Sequence, residues 1–127
     1  MKSRQGSLYL PLVATPIVGL ATYSAVAEEL YFQRGDSNAD NRLDMSDAVG
    51  TLSFLFLGKG APTCLDAANA NDDGVLGMSD AIFILHFLFL GGRPPSAPSG
   101  QCGLDPTRDM LSCQSYPHCL QPTVPFP

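Results

Sequence analysis

One stretch of this chain occurs twice. Residues 36–47 read DSNADNRLDMSD, and residues 69–80 read NANDDGVLGMSD, a displacement of 33 positions. Asp36 falls over Asn69, Asn38 over Asn71, Asp40 over Asp73, Arg42 over Val75, Asp44 over Gly77 and Asp47 over Asp80. The register continues through FLFLG, at 54–58 and again at 87–91. In the first copy, side-chain oxygens occupy positions 1, 3, 5, 9 and 12. A calcium ion takes roughly six to eight hard oxygens at about 2.3–2.6 Å, and a twelve-residue loop supplies them from those positions plus the carbonyl of position 7. The carbonyls here belong to Arg42 and Val75.

The two copies are unequal. The first offers the carboxylates of Asp36, Asp40, Asp44 and Asp47, with the amide oxygen of Asn38. The second keeps only Asp73 and Asp80 as ligand carboxylates, with Asn69 and Asn71 as amides and Gly77 where position 9 needs an oxygen. Affinity follows ligand charge, so the pattern predicts an ordinary first calcium site and a weaker second one, with water at position 9. Both copies close with Asp rather than Glu, so the last carboxylate has a shorter reach. Position 6 is Gly74 in the second copy and Asn41 in the first; Asn tolerates a left-handed backbone better than most residues.

A helix follows each loop. Asp44 is placed to cap the first, with Asp47 three residues on as in a capping box. Ala48, Leu52, Leu55 and Phe56 then form one apolar face at helical spacing, and Gly58 ends it. The second helix is expected over about residues 79–90, with Ala81, Leu85, Leu88 and Phe89 as its matching face and Gly91-Gly92 as its stop. Its remaining positions are also largely apolar, so it calls for cover from the tail and the first helix, or for a partner. Neither loop has room for an entering helix. Residues 28–35 are few and end in Gly, and residues 58–64 contain Gly58, Gly60 and Pro62. The expected fold is small and all-α: two loop–helix repeats packed antiparallel, with an irregular disulfide-linked C-terminal tail.

Two calcium loops, each followed but not preceded by a helix, and each ending in Asp, resemble the type I dockerin domain. The resemblance runs from about residue 31 to 92, with repeats at about 34–58 and 67–91, and leaves residues 93–127 as a Pro- and Cys-rich tail outside the pattern. It implies a secreted module that binds two calcium ions and docks onto a cohesin-like partner, in an assembly that degrades polysaccharides. Family contacts gather at the loop–helix junctions, which match Met45, Ser46, Met78 and Ser79 here. Ankyrin repeats share the 33-residue period, but their T-P-L-H-x-A motif and a third copy are missing.

The ends of the chain set the compartment. Residues 1–27 combine Lys2 and Arg4, an apolar run and an Ala25-Val26-Ala27 site, which reads as a signal peptide cleaved after Ala27, and hence as a secreted or cell-surface protein. An uncleaved anchor is the alternative, weakened by Pro11, Pro16 and Gly19. In an exported chain, Cys64, Cys102, Cys113 and Cys119 are expected to form two disulfides of open connectivity, in preference to a zinc site with His118. Loss of the leader takes the net charge from −5 to −7. Such a surface disfavours nucleic acid and, after cleavage, membrane as partners.

Catalysis is not expected, because no nucleophile, base and acid can be grouped and His86 lies within an apolar helix. The second functional reading is a structural domain of the cell surface, stapled by calcium and disulfides, with no cohesin partner.

Overall fold

The computed structural model describes residues 29–121. The predicted leader and its cleavage site lie outside that range. All regular structure among the described residues is helical: α1 (Met45–Leu57), a single-turn α2 (Leu65–Ala68) and α3 (Met78–Leu90). No helix among them is long and apolar enough to cross a membrane. Two isolated antiparallel bridges, Phe32 with Gly103 and Cys64 with Cys113, stitch the tail to earlier parts of the chain.

Both long helices begin as the sequence dictates. Asp44 accepts the Ser46 N–H, and Asp47 accepts the Asp44 N–H at 2.9 Å, completing a capping box. At α3 the N-cap is Gly77, which has no side chain to offer, so only the return half remains: Asp80 accepts the Gly77 N–H at 2.9 Å. Gly58 and Gly91 end the helices in left-handed conformations, at φ 68° and 71°.

The helices α1 and α3 pack on each other. Their contact is built from Ala48, Ala81, Ala70 and Ile84, flanked by Leu43, Leu52, Leu85 and Leu88. Small residues at the junction let the two backbones approach closely. One expectation is corrected here: Phe56 and Phe89 are not on the buried face but are 66 % and 65 % exposed. They lie in the last helical turns, beyond the alanine contact. Ile84 takes the buried place on α3 instead.

A second core forms away from the helices. Phe32, Cys64, Ala67, Tyr116 and Cys119 are buried together, with Tyr31, Ala39 and Cys113 against them. The tail therefore packs on the N-terminal segment and the loops, and also reaches the apolar helix, where the Arg93 guanidinium lies 5.6 Å from the Phe83 ring centroid. All four cysteines are in disulfides, Cys64–Cys113 and Cys102–Cys119. Cross-links spanning 49 and 17 residues remove roughly 4 and 3 kcal/mol of loop entropy from the unfolded chain. That is a large share for a domain with so small an apolar interior.

Arg34 joins the two cores. Its side chain is fully buried. Its Nε donates to the Ala97 carbonyl at 3.1 Å, and its Nη1 to the carbonyls of Asp66 and Asn69 at 3.1 and 3.0 Å. Its Nη2 donates to Asp105 at 2.8 Å and lies 3.4 Å from Asp72. The guanidinium also stacks 5.4 Å from the Phe32 ring centroid. The next residue, Gly35, has φ 101°, and a Cβ there would lie 2.9 Å from Leu43 and 3.0 Å from Pro95. Replacing Arg34 by Met removes the charge but strands three carbonyls and two carboxylates. We expect Arg34→Met to lower unfolding free energy by about 3–5 kcal/mol in denaturant titration, far more than a surface Arg42→Met control.

Candidate metal centre

Each loop folds around its own Asx side chains. In the first, Asp36 accepts the N–H groups of Asp40 at 3.1 Å and Asn41 at 2.8 Å. Asn38 accepts the Asp40 N–H at 3.1 Å, and Asp40 accepts the Arg42 N–H at 3.0 Å. Asp47 closes the ring with one oxygen on the Asn38 N–H, at 3.3 Å, and the other on that of Asp44. Alternate backbone N–H groups point inward at oxygens that themselves face a common centre. Positions 4 and 6 must turn left-handed to allow this: Ala39 and Asn41 have φ 56° and 69°.

Among the described residues the second loop repeats the ladder but for one bond, the donation of Asn41 to Asp36, which has no counterpart from Gly74 to Asn69. Asn69 and Asn71 accept the Asp73 N–H, Asp73 accepts the Val75 N–H, and Asp80 accepts those of Asn71 and Gly77. Asp72 and Gly74 take the left-handed positions, at φ 58° and 80°.

The loops differ in charge. In the first, one oxygen each of Asp36, Asp40 and Asp47 lies within 4.8 Å of the others. Bonds of about 2.4 Å from a central calcium reach oxygens that far apart. The donor set is all oxygen, and hard, so it fits calcium. Asp44 stands outside this trio, with its Oδ1 spent on Ser46. In the second loop Asn38's counterpart Asn71, and Asn69, bring neutral amides, and only Asp73 and Asp80 bring charge. The Nδ2 of Asn69 is buried without a hydrogen-bond partner. Its counterpart on Asp36 is an oxygen that accepts both the Asn41 N–H and the Tyr116 hydroxyl. Replacing carboxylate by amide therefore left an unmatched donor in the second loop.

Electrostatics follow from this crowding. Burial pushes the Asp47 carboxyl up to about 7, and the nearby charges of Asp36 and Asp40 add to the shift against the N–H groups of Asp44 and Asn38. Burial likewise raises Asp80, with Asp73 adding to it. Asp44, by contrast, is lowered by its bonds to Ser46. Tyr116, buried and bonded to Asp36, is held well above the ordinary phenol range.

Sequence reasoning missed three contributors to this region. Arg34 carries no local motif that marks it, and Tyr116 sits 80 residues from Asp36. A second acidic trio, Asp66, Asp105 and Asp109, was also not foreseen. The pairing of Cys64 with Cys113 would have pointed to it, since that link brings the neighbourhoods of Asp66 and Asp109 together.

No family model matches the chain, and the searches of curated proteins and of solved structures give no match either.

The raised Asp47 carboxyl gives a pH dependence of definite sign. Its unfolded value is near 3.9, so between about pH 4 and pH 7 the folded, ion-free chain binds more protons than the unfolded one. Stability without calcium therefore falls as pH rises through that window. A cation held by Asp47 would compete with the same proton, so its affinity would move oppositely. Calorimetric titration is expected to show calcium binding weakening by up to about tenfold for each pH unit below 7, while the ion-free melting temperature rises.

Proposed function

We propose that this chain is a calcium-dependent interaction module of the dockerin kind. In this reading calcium occupies the first loop firmly and the second more weakly, and α1 and α3 pack antiparallel to display one near-twofold docking face. The observation that carries the reading is the matched exposure of equivalent apolar residues. Met45 and Met78 are 55 % and 53 % exposed, Val49 and Ile82 51 % and 52 %, and Phe56 and Phe89 nearly the same as each other. Apolar residues left in solvent at the same register of both repeats fit a surface meant for a partner, because a purely structural helix pair loses solubility by displaying them. Ser46 and Ser79 stand exposed beside the two methionines. The partner is a cohesin-like protein outside the cell, in an assembly acting on polysaccharide.

The alternative reading is a domain stapled by calcium and disulfides for stability alone. Its support is the tail, which is pinned by both disulfides and hydrogen-bonded through Tyr116 to the first ligand position. The two readings separate on the exposed face. Under the first, a cohesin-like protein binds in calcium and not in chelator, and Met45→Asp with Met78→Asp weakens binding by about a hundredfold or more, as loss of two central apolar anchors does. The double variant keeps its calcium-dependent melting temperature. Unchanged binding by that variant, or no binding in calcium, supports the stapled domain instead. Isothermal calorimetry against a panel of cohesin-like proteins supplies the measurement.

A further inference from the structure

The tail builds a cavity of about 490 Å³ that shares no residue with either calcium loop. Asp66, Asp105 and Asp109 line it, with Glu29, Thr107, Arg108 and Ser112 also in its wall. Asp66 projects from the single-turn α2, whereas Asp105 and Asp109 come from the tail beyond residue 100. Disulfide Cys64–Cys113 holds the two stretches together, and the Leu65 N–H donates to the Ser112 carbonyl at 2.9 Å.

One oxygen of each of the three carboxylates lies within 4.8 Å of the others. Acidic groups at that spacing repel unless something compensates them. Arg34 reaches only Asp105 of the three, and shares itself with Asp72. Asp109 is partly held by the Leu111 N–H at 2.8 Å. Asp66 is the decisive residue. It is only 7 % exposed, and its Oδ1 is buried with no hydrogen-bond partner among the described residues. A buried acceptor left unpaired costs on the order of 1–3 kcal/mol, more when charged. Native folds satisfy such atoms with water, an ion or a shared proton.

We propose that Asp66, Asp105 and Asp109 form a third site for a hard divalent cation, calcium in the first instance. The ion bonds the orphaned Oδ1 of Asp66 and one oxygen of each partner, and the open side of the cavity leaves room for water ligands. Oxygen-only donors at this spacing suit calcium, magnesium or manganese rather than zinc, which favours nitrogen and sulfur. Such an ion would cross-link the linker that leads into the second loop with the tail, next to the guanidinium of Arg34. The site shares no ligand with the two loops, although Thr107 bonds Asp72 and Asp109 lies against Gly74 of the second loop, and it does not rest on the interaction function proposed above.

The test counts ions on the full chain by calorimetry and equilibrium dialysis in saturating calcium. Asp109→Asn touches neither Arg34 nor a calcium loop ligand, and we expect it to bind one ion fewer than the unaltered chain. The combined Asp47→Ala and Asp80→Ala variant, which disables both loops, is expected to retain one ion. Equal ion counts for Asp109→Asn and the unaltered chain overturn the proposal. Should either variant fold poorly, a crystal of the unaltered chain soaked in manganese decides: an anomalous peak among the three aspartates supports the site, and a peak in the first loop with none there overturns it. A protonated-carboxyl infrared band that persists in saturating calcium and is lost in Asp66→Asn also overturns it, because Asp66 and Asp105 then share a proton instead.

Discussion

A buried guanidinium with oxygens drawn from three separated segments is the constraint around which this small structure closes. Arg34 sits two residues before the first calcium-type loop, yet its partners are the carbonyls that flank the start of the second loop, a carbonyl of the Pro-rich segment, and carboxylates at positions 72 and 105. Taking a cation out of water costs several kcal/mol unless its donors are matched. The chain matches them only when the linker, the second loop and the tail are all in place. That requirement couples parts with little apolar surface of their own. The alanine contact between helices and the aromatic–cystine core are each too modest to hold the chain alone, and Arg34 with the disulfides makes them one cooperative body.

The loops add a second level. Their backbone is held by Asx side chains that accept N–H groups. What an ion would relieve is charge. Asp36, Asp40 and Asp47 face one centre in the first loop, and Asp47 resists ionisation there because it is buried among like charges. The second loop keeps the geometry with half the carboxylates. Its largely matching hydrogen bonds show that shape and charge have come apart: the Asn69 amide accepts the Asp73 N–H as the Asp36 carboxylate accepts that of Asp40, but lends a cation less. Tyr116 ties the better-charged loop to the tail, and Ala39 of that loop packs against the core that holds the cystines.

Much of this was legible in the sequence because it is local. The repeat, the helix cap at Asp44, the second helix from about residue 79, the stops at Gly58 and Gly91 and the ladder residues all depend on neighbours within a dozen positions. The charge difference between the loops can be read directly from Asn69 and Gly77. What escaped is non-local. Arg34 reaches position 105, Tyr116 reaches position 36, and Asp66 meets Asp109 only after Cys64 has chosen Cys113 among three open connectivities. The burial of Phe56 and Phe89 was misjudged for a related reason: helical spacing shows which residues share a face, but not how far along the helix the neighbouring element extends.

The central claim is that two loops of one backbone design hold calcium unequally because of their carboxylate count. Residue-resolved amide NMR during a calcium titration addresses it most directly, since each loop carries its own reporters. The account predicts that the amides of Asp40, Asn41 and Asp44 shift and saturate at lower calcium than those of Asp73, Val75 and Gly77. Saturation in the reverse order, or no shift in either loop, would contradict it.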